Sequence, residues 1–182
     1  MVCFGAAKLI MGVSSELGPI DPQLTTVEEG ILKRFSVYNI IESYDELFKR
    51  ATEEKGNIQP YLQQLSNYDE REIKELRTAL DLSNDIAVRS LASGMMKGLS
   101  ENEIQKKIEL FLSPKTTKDH GRPIYGQEAQ ACGLNVEMRR VEESIWKLAS
   151  ELCFRTNYLV SSGAAKCIES KDQSFSVPAP GR

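Results

Sequence analysis

The sequence predicts an α/β chain, predominantly helical with a few short strands, and three observations lead there. Leu9-Ile10-Met11 is a short apolar run followed by Gly12 and a loop with two X-Pro steps, a strand-then-loop pattern. Helix-capping signals then recur: Ser36 before an apolar run at helical spacing, Asn67 with Glu70, and Ser100 with Glu103. Near the end, Lys166 to Val177 alternates with period two around Lys171-Asp172, as a hairpin or edge strand does. Helices outnumber strands. That fits the C-terminal portion of an α/β domain better than a complete doubly wound one.

In chain order, Met1 to Ala7 is small and apolar and reads as the last two turns of a buried helix. Lys8 to Gly12 follows as a buried strand. Ser14 to Leu24 then reads SSELGPIDPQL. Proline fixes its own φ and pushes the preceding residue into an extended conformation, so Gly18 and Asp21 are held extended on a stiff loop. Loops at strand ends are where α/β sheets build sites. On chemistry alone, Asp21 reads first as a solvated acid on a rigid connector.

Thr25 to Phe35 stays open between helix and strand: Thr26 and Glu29 have capping-box spacing, but Gly30 interrupts. Val37, Ile40, Ile41, Tyr44, Phe48 and Ala51 predict a helix, with Ser36 as N-cap and Gly56 just past its end. Pro60 suits the first turn of a short helix through Leu65. A long helix is expected from Asn67 to Lys97, closed by Gly98 and burying Ile73, Leu76, Leu80, Ala87 and Leu91. Ser100 opens a helix that buries Ile104, Ile108, Phe111 and Leu112. After a polar loop come a short helix near Gln127–Ala131 and a short strand at Leu134–Val136. Val141, Ile145, Leu148 and Leu152 mark a last amphipathic helix, on which Trp146 and Phe154 read as core.

At 182 residues, 41% hydrophobic and 27% charged, the composition is globular. A net charge of -3 gives no polyanion signal, so nucleic acid is not expected as a partner. No apolar run approaches the ~18 residues of a membrane span, so a membrane partner is not expected either. Four scattered cysteines without a C-x-x-C pair or a secretion signal point to a reducing cytoplasm. One histidine argues against a His-based zinc site, and no metal or cofactor is expected. Cys132 reads as a buried thiol and Met95-Met96 as core or an oligomer-facing edge.

Two blocks carry a resemblance. LIMGVSSELGPIDPQL (Leu9 to Leu24) and HGRPIYGQEAQACGLNV (His120 to Val136) resemble, in this order, the motifs of the serine dehydrogenase proteinase family, relatives of the Clp protease subunit and of signal peptide peptidase. The resemblance extends to about Val136 and implies the C-terminal part of a Clp/crotonase-like domain. It implies a serine peptidase that hydrolyses peptide bonds by acyl transfer, acts on polypeptides and assembles into homo-oligomers.

In the Clp subunit the triad Asp lies shortly before an EA-x-x-x-GL turn, matched here by Glu128-Ala129 through Gly133-Leu134. Asp119, His120 and Gly121 therefore fall where that Asp would lie, and Asp21 stands where the triad His would. The resemblance thus implies an exchanged pair: His120 as base, Asp21 as the acid that orients it. Triads are defined by geometry and roles, so the exchange is physically permissible. The family's nucleophilic serine, in a Ser-Ala-Gly-Thr-like turn, is expected ahead of Met1, so the chain reads as truncated and inactive alone. Ala7-Lys8 replaces an acidic pair common in the family.

The expected organisation is a partial peptidase domain over 1–136, a helix-and-hairpin extension over 137–177 and a frayed tail over 178–182. The alternative function is a non-catalytic assembly fragment that binds full-length subunits through the helical region from Val37 to Leu112.

Overall fold

The computed structural model describes residues 2–28, 30–53, 55–113 and 122–178. The chain is mixed α/β and mostly helical. Its strands form two-stranded pairings only, among the described residues. Two units result: one gathers residues 1–9 and 14–137, the other residues 10–13 and 138–182.

The first unit begins with a 3-10 turn, Val2–Gly5, where a buried helix was expected. Only Phe4 of that turn is buried, and its ring meets Phe111 edge-on at 5.2 Å. Four residues with one large apolar side chain give too little amphipathic surface to fix a longer helix. β1 (Leu9–Met11) buries Leu9 and Met11 but leaves Ile10 exposed, so the strand is half-buried, not covered on both faces. β2 (Glu16–Leu17) follows, then β3 (Gln23–Glu28) and β4 (Ile31–Ser36), an antiparallel hairpin in register Val27↔Leu32 and Leu24↔Phe35. Gly30 sits in its turn at φ 78°, a left-handed conformation that favours glycine. The hairpin resolves the ambiguity of Thr25 to Phe35. Thr26 lies in a strand and caps nothing, and Glu29 lies outside the described residues.

α1 (Val37–Glu53) starts where Ser36 stands, and the Ser36 hydroxyl accepts from the Asn39 N–H at 3.1 Å. Val37 and Ile41 are buried, whereas Phe48 at the far end is exposed. α2 (Gln59–Leu65) carries Pro60 in its first turn. α3 (Glu70–Ser93) is capped by Asp69, whose carboxylate accepts from the Arg71 N–H at 2.8 Å. The helix therefore opens two residues later than Asn67 suggested.

α3 also ends earlier than expected, at Gly94 and not Gly98. A Cβ on Gly94 would stand 3.2 Å from the Ser90 carbonyl oxygen, with those of Phe4 and Ala6 at 3.7 and 3.6 Å. The backbone of the N-terminal turn crosses there, and the chain turns off so that the Met96 N–H reaches the Leu91 carbonyl at 2.9 Å. Ile73, Ala87, Val88 and Leu91 form the buried stripe of α3.

α4 (Glu101–Lys107) opens on the expected capping box: the Ser100 N–H donates to Glu103 at 2.9 Å, and the Glu103 N–H to the Ser100 hydroxyl at 3.4 Å. α5 (Glu109–Leu112) continues it after a break at Ile108. Ile104, Ile108 and Phe111 are fully buried. β5 (Ile124–Tyr125), α6 (Gly126–Ala131) and β6 (Val136–Met138) complete this part of the chain.

The second unit holds α7 (Ser144–Ser162), β7 (Ala164–Glu169) and β8 (Ser174–Pro178). β7 and β8 form the hairpin that the period-two pattern predicts, with Cys167↔Ser176 in register. The expected amphipathic stripe is not buried: Val141, ahead of α7, and Ile145, Leu148 and Leu152 within it are exposed, as is Phe154, which was expected in a core. No helix among the described residues is long and apolar enough to cross a membrane.

Trp146 packs over Gly12, where a Cβ would stand 2.5 Å from the indole ring. Gly12→Ala must displace the ring, an overpacking cost of about 1–3 kcal/mol. Trp146 is the sole tryptophan, so a shifted emission spectrum and a lower urea midpoint are expected together. An unchanged spectrum would mean that the contact is not made.

Candidate functional site

The two motif blocks meet. β2 pairs antiparallel with β5, setting Glu16 opposite Tyr125 and Leu17 opposite Ile124. Further on, the Ile20 N–H donates to the Phe111 carbonyl at 2.8 Å, while the Leu9 N–H donates to the Asn135 carbonyl at 2.9 Å. The Asn135 amide returns a hydrogen bond to the Ala7 carbonyl at 3.0 Å. Lys8, where the family resembled carries an acid, pairs with Glu137 at 2.7 Å, so this position has an ionic partner of its own.

Pro19 and Pro22 set the loop between these contacts, having no N–H to lose. Ile20 turns inward and is buried, which leaves Asp21 half-buried at the start of the next segment. Its carboxylate accepts from the Tyr38 N–H at 3.3 Å, and the Pro22 carbonyl accepts from the Val37 N–H at 2.9 Å. Both donors lie in the first turn of α1, where backbone N–H groups lack helical partners and the helix dipole favours an anion. Asp21 is therefore not a solvated connector acid. It docks the loop on α1.

The second block is fixed by its own termini. α6 ends in a Schellman turn: the Leu134 N–H reaches the Ala129 carbonyl at 3.1 Å and the Gly133 N–H the Gln130 carbonyl at 2.8 Å, with Gly133 at φ 85°. This explains the EA-x-x-x-GL pattern physically, since Ala129 and Leu134 are buried and Gly133 supplies the left-handed step. At the other end Glu128 accepts from the Tyr125 N–H at 3.1 Å and from Arg122 at 2.6 Å. The Tyr125 N–H, with help from Arg122, holds the Glu128 carboxyl below its ordinary range. Cys132 is buried, and desolvation pushes its thiol up, away from nucleophilic use.

Asp21 is thus placed, but His120 and Asp119 lie outside the described residues. Ser14 is exposed in a turn after β1, and neither Ser14 nor Ser15 stands at a strand-to-helix turn. Sequence reasoning missed a cavity of about 510 Å³ between the β3–β4 hairpin and α1, lined by Leu24, Thr26, Phe35, Asn39, Ile40 and Tyr68. Its volume falls in the range of ligand pockets. The β-branched run Thr25-Thr26-Val27 ahead of Gly30 is the signal that could have found it. Among the described residues no cluster of three His, Cys, Asp or Glu side chains could hold a metal ion. No protein-family model, curated protein or solved structure matches the chain.

Two outcomes follow from the geometry. Removing the acceptor at α1 in Asp21→Ala should cost about 1 kcal/mol in urea unfolding, as loss of a helix cap does, while Asp21→Asn should cost less. Equal losses would contradict the capping role. Glu128, with a folded-state value below the unfolded one, stabilises the fold above about pH 4.3 and loses that contribution as pH falls through its lowered value. The stability gap between the native chain and Glu128→Gln should therefore be present at pH 7 and shrink as pH falls below about 4.3.

Proposed function

We propose that the chain is a serine-type peptidase polypeptide of the serine dehydrogenase proteinase family, with a Clp/crotonase-like fold. In this reading His120 is the general base and Asp21 the acid that orients it. The pairing of β2 with β5 supports the reading most: it brings the two motif blocks together, setting Leu17 opposite Ile124. The anchoring of Asp21 by the Tyr38 N–H adds a second support, because a carboxylate fixed from behind can hold one imidazole tautomer.

In such a triad the base takes the serine proton as the hydroxyl attacks the peptide carbonyl, then returns it to the leaving amine. The acid holds the ring and stabilises the imidazolium. In this reading neither Ser14 nor Ser15 is the attacking serine, since neither stands at a strand-to-helix turn.

A second reading, a non-catalytic assembly fragment, is favoured by the exposed cross-strand pair Val27 and Leu32 on the hairpin before α1. The single histidine separates the two readings. Its NMR titration should move to lower pH by about one unit in Asp21→Asn if the carboxylate stabilises the imidazolium. An unmoved midpoint would remove Asp21 from the triad and leave assembly as the surviving reading.

A further inference from the structure

Among the described residues α7 has no buried side chain, although it carries only three charges, Lys147, Glu151 and Arg155, in nineteen residues. A helix this apolar is ordinarily covered. Its most exposed apolar residues are Leu148 (67%), Leu152 (63%), Phe154 (77%) and Tyr158 (77%). They form two i,i+4 ridges, one aliphatic and one aromatic, on either side of a third made by Glu151 and Arg155. Those two ions pair within the helix and remain largely exposed.

We propose that this face binds the same face of a second copy of the chain, with the two helices antiparallel and the two-fold axis at the level of Cys153. The ridge pattern is self-complementary under that operation. Glu151 and Arg155 lie two residues either side of Cys153, so each acid comes beside the base of the other copy. Leu152 and Phe154 each approach their own counterparts near the axis. A parallel pair would instead set Glu151 beside Glu151, so the charges select the antiparallel arrangement.

The area is sufficient. Each aromatic at three-quarters exposure offers roughly 120–190 Å². Together they supply about a third of the ~800 Å² per partner of a standard interface, before the leucines and ions are counted. An isologous contact closes as a dimer and leaves no apolar ridge to propagate. The helix lies beyond the region of resemblance, so the inference does not depend on the peptidase reading.

The test is sedimentation velocity of the full chain at micromolar concentration, with circular dichroism to confirm folding. The native chain should sediment at twice its 20.4 kDa mass. Glu151→Arg and Arg155→Glu should each weaken the dimer by about tenfold or more, because like charges then meet at the axis. Mixing the two variants should restore a dimer, as should the double swap, since every acid again faces a base. A native chain that stays monomeric overturns the proposal. So does a dimer that neither single swap weakens, which would place the contact elsewhere or point to another occupant for this face.

Discussion

The antiparallel contact between Glu16-Leu17 and Ile124-Tyr125 is the constraint on which the rest of the candidate site depends. It joins two segments more than a hundred residues apart in sequence, and the helical region lies between them. With the Ile20 to Phe111 hydrogen bond, it clamps the proline loop at both ends. The loop in turn delivers Asp21 to the first turn of α1. Without that ladder the carboxylate would still be extended by Pro22 but would have no fixed address. Two short strands can hold this position because the side chains beside them are well buried: Ile124 and Phe111 are essentially inaccessible, and Ile20 nearly so.

The same economy shapes the first unit. Its largest buried side chains, Phe111, Leu91, Ile104, Ile108 and Ile124, come from the end of α3, from α4 and α5, and from β5. The N-terminal turn contributes Phe4 to this cluster, and its backbone crosses beside Gly94 at the end of α3. The cavity beside the hairpin and the exposed ridges of α7 lie outside this cluster.

Features set by neighbouring residues were legible in the sequence. The Ser100–Glu103 box, Pro60 in a first turn, Ser36 at the start of α1 and Gly133 after α6 each act within one or two turns, and each stands where its local pattern put it. The period-two pattern near the C-terminus was read for the same reason. What was illegible depends on distant partners. α3 ends at Gly94, beside which residues ninety positions earlier cross, whereas Gly98 has the stronger local signature. The N-terminal turn looked helical because composition does not reveal how little of it finds a core. The stripe on α7 has the spacing of a buried face, but spacing does not say whether the covering surface belongs to the same chain. Of the candidate pair, the stiffness around Asp21 was readable from its prolines, while its hydrogen bond to α1 was not.

The account stands or falls on the two motif blocks meeting closely enough for Asp21 and His120 to act together. With one histidine in the chain, its ring protons can be assigned without ambiguity, and the measurement is a proton NOE experiment on the native protein at neutral pH. The account predicts NOEs from the His120 ring to the Asp21–Pro22 segment, alongside cross-strand NOEs between Leu17 and Ile124. Cross-strand NOEs without any contact from the imidazole to that segment would contradict the pairing of base and acid.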